Sequence, residues 1–256
     1  MIDVDLSGRT VLVTGSARGL GRAMAVACAA KGASVAIHYN TSEDAAEAAA
    51  EEARDAAPSL DGATEGTASS VTRVQGDVTD PEEVAVLFER VEAELGPVDV
   101  LVNNVGAFAP THWSEIDYET WRDVFATNVD ATYLCSKRAL PAMREQGYGR
   151  IVNIGYASAD RGLVSPKNFP YFAAKASVLM FTRMLAADTS DDGITVNAIS
   201  PYVIENSEEF PETLPRDRPA AFEDLIQALY FFLDPGSDYV SGENVEVDGG
   251  WLPERV

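Results

Sequence analysis

Tyr171 and Lys175 stand four residues apart in the segment Tyr171-Phe172-Ala173-Ala174-Lys175. On a helix that spacing puts both side chains on one face. A neighbouring ammonium favours the phenolate, so the pair predicts a tyrosine that ionises below its reference pKa of about 10 and works as a general acid or base. About 150 residues upstream, a β-branched run from Val11 to Thr14 enters the turn Gly15-Ser16-Ala17-Arg18-Gly19-Leu20-Gly21, and an Ala-rich stretch leaves it. That pattern reads as strand, turn and helix. Glycines let a backbone turn tightly and approach a pyrophosphate, which the free N–H groups of the helix N-terminus then bind. The spacing is G-x-x-x-G-x-G rather than the G-x-G-x-x-G of many dinucleotide turns.

Further motifs follow in order: Gly76-Asp77-Val78, Asn103-Asn104-Val105-Gly106, Asn128, Asn197-x-x-x-Pro201 and Val247-Asp248-Gly249-Gly250. With the glycine turn and the Tyr171/Lys175 pair, they make the chain resemble the short-chain dehydrogenase/reductase family from about Leu6 to Trp251. The resemblance implies that Tyr171 protonates the nascent alkoxide as hydride arrives from the nicotinamide. Lys175 then lowers the tyrosine pKa and holds the nicotinamide ribose. Asn128 supplies a helix distortion and a water link in a proton relay. Gly15, Ser16, Arg18, Gly19, Leu20 and Gly21 would meet the dinucleotide, Asp77 and Val78 the adenine, and Asn104, Val105 and Gly106 the family's N-A-G turn. Pro201, Tyr202 and Ile204 match the segment that meets the nicotinamide carboxamide. Tyr202 replaces a usual glycine there, so its ring either shapes the site or packs outward.

Charge near the second strand bears on the choice of cofactor. An acid at the end of that strand hydrogen-bonds the adenosine ribose in NAD-binding units. Here the stretch is Ala36-Ile37-His38-Tyr39-Asn40-Thr41-Ser42, with no carboxylate before Glu43. Tyr39 takes the acid's position, while Arg18 in the glycine turn can pair with a 2′-phosphate, helped by Asn40, Thr41 and Ser42. NADP(H) is the expected cofactor. The family also places a serine after its fifth strand to polarise the substrate oxygen. Counting back from Tyr171 gives Ser158, whereas strand register from Arg150 gives Tyr156, so the two remain alternatives. Some pteridine reductases resemble this pattern, including the His-Tyr stretch. The expected reaction is therefore reduction of a carbonyl or pterin-like substrate, on the model of 3-oxoacyl-carrier-protein or pteridine reductases. A pterin would suit Tyr156, Tyr202, Phe108 and Trp113. The alternative is a non-catalytic NADP-binding regulator or scaffold.

These residues need a frame to position them. Strands are predicted over 10–14, 34–38, 72–75, 98–103, 150–154, 195–199 and 244–247, and helices over 19–31, 43–56, 81–95, 117–145, 170–190 and 221–233. Such alternation implies a single-domain α/β chain, 1–256, of Rossmann type: a doubly wound parallel sheet with helices on both faces. Ligands bind such sheets beyond the carboxyl ends of the strands. The small, polar segment 58–70 reads as a surface loop, and the proline-rich, acidic segment 205–219 as a substrate lid.

Composition narrows the partners. The chain has 256 residues, 46% of them hydrophobic, with 41 Asp plus Glu against 19 Lys plus Arg and a formal net charge of −22. Such a surface repels nucleic acid and anionic membranes. It points to an acidic, halophilic enzyme whose self-repulsion high salt screens. No apolar run spans a membrane, and the N-terminus does not read as a signal peptide. Cys28 and Cys135 fall in predicted helices as buried thiols, which suits a cytoplasmic protein. His38 and His112 lack metal-ligand spacing, so no metal is expected. Apolar residues Tyr133, Leu134, Cys135 and Leu140 on helix 117–145, together with the last strand, predict self-association as a homotetramer or dimer.

Overall fold

The computed structural model describes residues 2, 4–58, 69–161, 165–207 and 210–251. Most of the segment read as a loop between Pro58 and Ser70 lies outside them, as do residues 208 and 209 of the segment read as a lid.

Seven parallel strands form one sheet: β1 (Thr10–Val13), β2 (Ser34–Tyr39), β3 (Val71–Gln75), β4 (Val100–Asn103), β5 (Gly149–Ile154), β6 (Ile194–Pro201) and β7 (Asn244–Val247). Their spatial order is β3-β2-β1-β4-β5-β6-β7. The chain runs outward from β1 to β3, then crosses back to β4 on the other side of β1. Strand order therefore reverses between β1 and β4, the place where such sheets open a crevice at their carboxyl ends.

Period-2 alternation divides the core into two layers. Val11, Val13, Val35, Ile37, Val100 and Val102 face helices α1 (Gly19–Ala29), α2 (Glu43–Ala56) and α7 (Phe222–Leu233). Leu12, Ala36, Leu101 and Ile151 face the opposite way, onto α3 (Pro81–Leu95), α5 (Ala131–Gln146) and α6 (Phe169–Asp188). The strands are apolar on both faces because both are covered, as a parallel sheet requires. Local signals set the helix ends. Asp80 caps α3 by accepting from the N–H groups of Glu82 and Glu83, and Pro81 occupies the first turn. Gly147, at φ 64°, closes α5.

One predicted element is broken. The helix expected over 117–145 is two α-helices, α4 (Tyr118–Phe125) and α5, joined by a π-helical stretch over Ala126–Asp130. Asn128 sits in that stretch and is fully buried. Its Nδ2 donates to the carbonyls of Val124 and Ala107, both at 2.8 Å, tying the distorted turn to the segment after β4. Hydrophobic periodicity runs through such a bulge without marking it, which is why the sequence reads as one helix.

Candidate active site

The end of β1 is built by hydrogen bonds to β4. The Thr14 hydroxyl accepts from the N–H groups of Asn104 (2.9 Å) and Val105 (3.2 Å), and the Asn104 amide donates to the carbonyls of Thr14 and Gly15. Gly15 has φ 66°, and a Cβ there would lie 2.9 Å from the Val105 side chain. A Cβ on Gly21 would lie 2.5 Å from the Gly15 carbonyl. Both glycines are thus demanded by the packing of the turn itself. Arg18, exposed, is the residue before α1 and stands at the mouth of a cleft of about 600 Å³.

Gly19, Leu20 and Gly21 line one end of this cleft, and Tyr171, Lys175, Tyr156 and Tyr202 line the other. α6 presents Tyr171 and Lys175 on one face. Lys175 is buried, its Nζ donates to the Ile154 carbonyl at 2.6 Å, and it lies 5.6 Å from the Tyr171 ring centre. Burial lowers the lysine pKa to about 8. Burial also raises the Tyr171 pKa above its ordinary value, although the residue keeps part of its surface. This is opposite to the expectation drawn from the adjacent ammonium: the shift comes from desolvation of the phenolate, and the lysine's hydrogen bond goes to Ile154. The result is a neutral phenol, the form that can give up a proton.

Gly106 connects this pair to Asn128. A Cβ on Gly106 would lie 2.3 Å from Asn128 Oδ1 and 3.3 Å from Lys175 Nζ, so the bare backbone lets the two approach. Asn128 Oδ1 is buried without a hydrogen-bond partner, a free acceptor beside the lysine.

Aromatic rings wall the reactive end. Tyr156 meets Tyr171 edge-on with ring centres 5.6 Å apart, and Phe108 lies 6.3 Å from Tyr171 in the same manner. Tyr202 stacks on Trp251 at 3.8 Å and 9°, and Tyr156 packs edge-on against both. Across the sheet, Glu246 of β7 accepts from the Ser158 N–H at 2.8 Å and pairs with Arg161 at 2.7 Å, bracing the loop after β5.

A family model described as enoyl-(acyl carrier protein) reductase matches residues 15–252. The 3-oxoacyl-(acyl-carrier-protein) reductase of Haemophilus influenzae is 32% identical over 255 residues, covering 96% of this chain and 98% of the relative. The chain belongs to the short-chain dehydrogenase/reductase family. Solved structures agree. A putative gluconate dehydrogenase from Agrobacterium tumefaciens superposes with a TM-score of 0.87 at 32% identity, covering 100% of both chains. A gluconate 5-dehydrogenase from Burkholderia cenocepacia, in complex with NADP and tartrate, gives 0.83 at 28% identity over 97% of each.

In this short-chain dehydrogenase/reductase the residues singled out from sequence fall into two groups. Arg18, Gly19, Leu20, Gly21, Asn104, Gly106, Pro201, Tyr202, Ile204, Tyr171 and Lys175 line the cleft. Ser16 does not: its hydroxyl accepts from the His38 N–H at 2.8 Å and is spent inside the fold. Tyr39, Asn40, Thr41, Asp77 and Val78 sit at the ends of β2 and β3, outside the cleft, and Val105 packs beneath Gly15. Of the two alternatives for the polarising residue, Ser158 is fully buried at φ 62° with no partner for its hydroxyl, and Tyr156 lines the cleft. Trp113, expected near the site, is exposed and lines a separate surface cavity with Trp121 and Phe169. Trp251, Glu246, Phe172, Asn168 and Lys167 were not singled out. Only Phe172, next to Tyr171, carried a local signal.

Proposed function

We propose that this oxidoreductase uses NADPH to reduce the carbonyl group of a small, flat or apolar substrate. One observation carries the reading: a single cleft runs from the glycine turn and Arg18 to the Tyr171/Lys175 pair. The dinucleotide suits that cleft, since glycines and the start of α1 form one end and a free acceptor on Asn128 stands beside a buried lysine at the other. NADP is present in the Burkholderia relative, and Arg18, with no carboxylate on β2, favours the same cofactor here.

Bound NADPH supplies the hydride. The chain's own residues do the rest. Tyr171 gives its proton to the carbonyl oxygen as negative charge develops there. Lys175 holds a positive charge beside the phenolate left behind and, through Asn128, opens a route for the replacement proton. Tyr156, whose pKa burial also raises, stays a neutral donor able to hold the same oxygen. The rings of Phe108, Phe172 and Tyr202 exclude water and favour a planar group next to the carbonyl. An acyl carrier protein, itself acidic, would be repelled by a surface of net charge −22.

Self-association is part of the reading. Tyr133, Met180 and Met184 are exposed and line, with Phe181, an apolar groove between α5 and α6. A second copy would cover it in a dimer or tetramer. Among the described residues no helix is long and apolar enough to cross a membrane.

The test follows NADPH consumption against β-ketoesters, quinones, aryl ketones and dihydropterins in high KCl, with NADH and the Tyr171→Phe variant alongside. Turnover that Tyr171→Phe abolishes while NADPH still binds supports the reductase. NADPH binding without turnover of any carbonyl favours the non-catalytic alternative.

A further inference from the structure

His38, the penultimate residue of β2, is almost completely buried. Its Nδ1 lies 2.8 Å from the Gly15 N–H and its Nε2 lies 2.9 Å from the Gly76 carbonyl. A backbone N–H can only donate and a carbonyl can only accept. Nδ1 must therefore be the bare acceptor and Nε2 must carry the hydrogen, so the two partners fix a single neutral tautomer. The His38 backbone is bound as well: Ser16 N–H donates to its carbonyl at 2.9 Å, and its N–H donates to the Ser16 hydroxyl. One side chain thus joins the carboxyl ends of three adjacent strands. These ends carry the glycine turn, Tyr39 to Thr41, and Asp77.

We propose that His38 is a positioning residue for the dinucleotide: its Nδ1 holds the Gly15 N–H of the glycine turn, and the Gly76 carbonyl, by taking the Nε2 hydrogen, keeps Nδ1 the bare acceptor that only the neutral imidazole offers. The imidazolium would set a second N–H against the Gly15 N–H and release the first turn residue. The groups facing the ring include one acid. Asp77, after β3, and the Gly76 carbonyl favour the charged form, whereas Gly15 and Ser16 on the β1 side carry no charge. Glu83 of α3 reaches only the Asp77 N–H, and Arg18 lies three residues beyond Gly15, exposed to solvent. Burial outweighs these and holds the imidazole pKa below its ordinary value. Loss of the lock belongs to the acid side of neutrality.

Calorimetric NADPH affinities between pH 8 and 5 test this on three proteins, and none of the measurements requires the substrate. Asn at 38 keeps an acceptor at the Nδ1 position and loses the link to Gly76. Gln keeps a donor at the Nε2 position and loses the link to Gly15. At pH 8, His38→Asn should bind NADPH within about threefold of wild type and His38→Gln about tenfold or more weakly, one hydrogen bond being the difference. A simple packing role predicts the reverse, since Gln is closer to His in volume. Toward pH 5 the wild type should lose affinity more steeply than His38→Asn. The comparison matters because the 2′-phosphate of NADPH itself titrates at pH ~6, a contribution common to all three proteins. His38→Gln binding as tightly as His38→Asn, or parallel pH profiles for wild type and His38→Asn, overturns the proposal. Wild type that binds no NADPH at any pH overturns the cofactor assignment instead.

Discussion

The Lys175 ammonium is bonded to the carbonyl of Ile154, the last residue of β5, while lying 5.6 Å from the ring centre of Tyr171. The helix places Tyr171 and Lys175 together, yet the sheet takes the lysine's hydrogen bond.

That burial has a pH signature. The Lys175 pKa falls from an ordinary 10.5 to about 8 in the folded chain. Between those values the unfolded chain holds the extra proton, so this group makes stability rise with pH across that window; below about 8 the cost of burying the charge is felt in full. Replacing Lys175 by Met removes the term. Unfolding measurements should find wild type gaining on Lys175→Met by on the order of 3 kcal/mol from pH 7 to 10.5. A constant difference would show that the lysine is not buried as a cation.

Tyr156 and Ser158 can be separated kinetically. Tyr156→Phe removes a donor from the developing alkoxide and should lower kcat roughly 100-fold. Ser158→Ala removes a buried hydroxyl with no partner. It should leave kcat within about threefold and stability unchanged or slightly raised. A larger loss in Ser158→Ala than in Tyr156→Phe would return the polarising role to the serine.

The proposed pairing of Arg18 with the 2′-phosphate makes a prediction about cofactor choice. Arg18→Ala should raise the KM for NADPH about tenfold, the value of one charge-assisted contact to phosphate, and leave that for NADH nearly unchanged. Equal changes for both would remove the argument for the 2′-phosphate.

The surface charge predicts a salt response. Ion pairs such as Arg144 with Asp188 and Asp192 are solvent-exposed and weaken in salt. The prediction is that screening a net charge of −22 outweighs the weakening of these pairs. Unfolding free energy should rise between about 0.1 and 2 M KCl. A fall over that range would mark an ordinary acidic protein.

The groove between α5 and α6 predicts assembly. Met180→Glu and Met184→Glu together should shift light scattering from the mass of a dimer or tetramer toward a monomer, with the fold kept. Wild type that is already monomeric would disprove the association.

The strands and helices were legible because their signals are local. Val11 to Val13 and Val100 to Val102 are apolar on consecutive positions, and the glycine turn and Tyr171/Lys175 keep fixed spacings. What sequence missed depends on contacts between distant segments. The rise in the Tyr171 pKa comes from burial, which spacing does not report. The resemblance implied a distortion at Asn128 but not its form, a π-helical turn tied by a bond to Ala107 in the segment after β4. Ser158 and Tyr156 stayed alternatives in the sequence because loop length is not fixed by periodicity; in the folded chain Tyr156 lines the cleft and Ser158 is buried.

Trp251 lies flat against Tyr202, which lines the cleft, while Trp113 and Trp121 sit by a separate cavity. The molecule thus carries an optical reporter at its reactive end. Indole emission overlaps the absorption of a reduced nicotinamide, so light taken up by Trp251 can pass to a neighbour bound there. Occupancy of the cleft is written into the protein's own fluorescence, with no label attached.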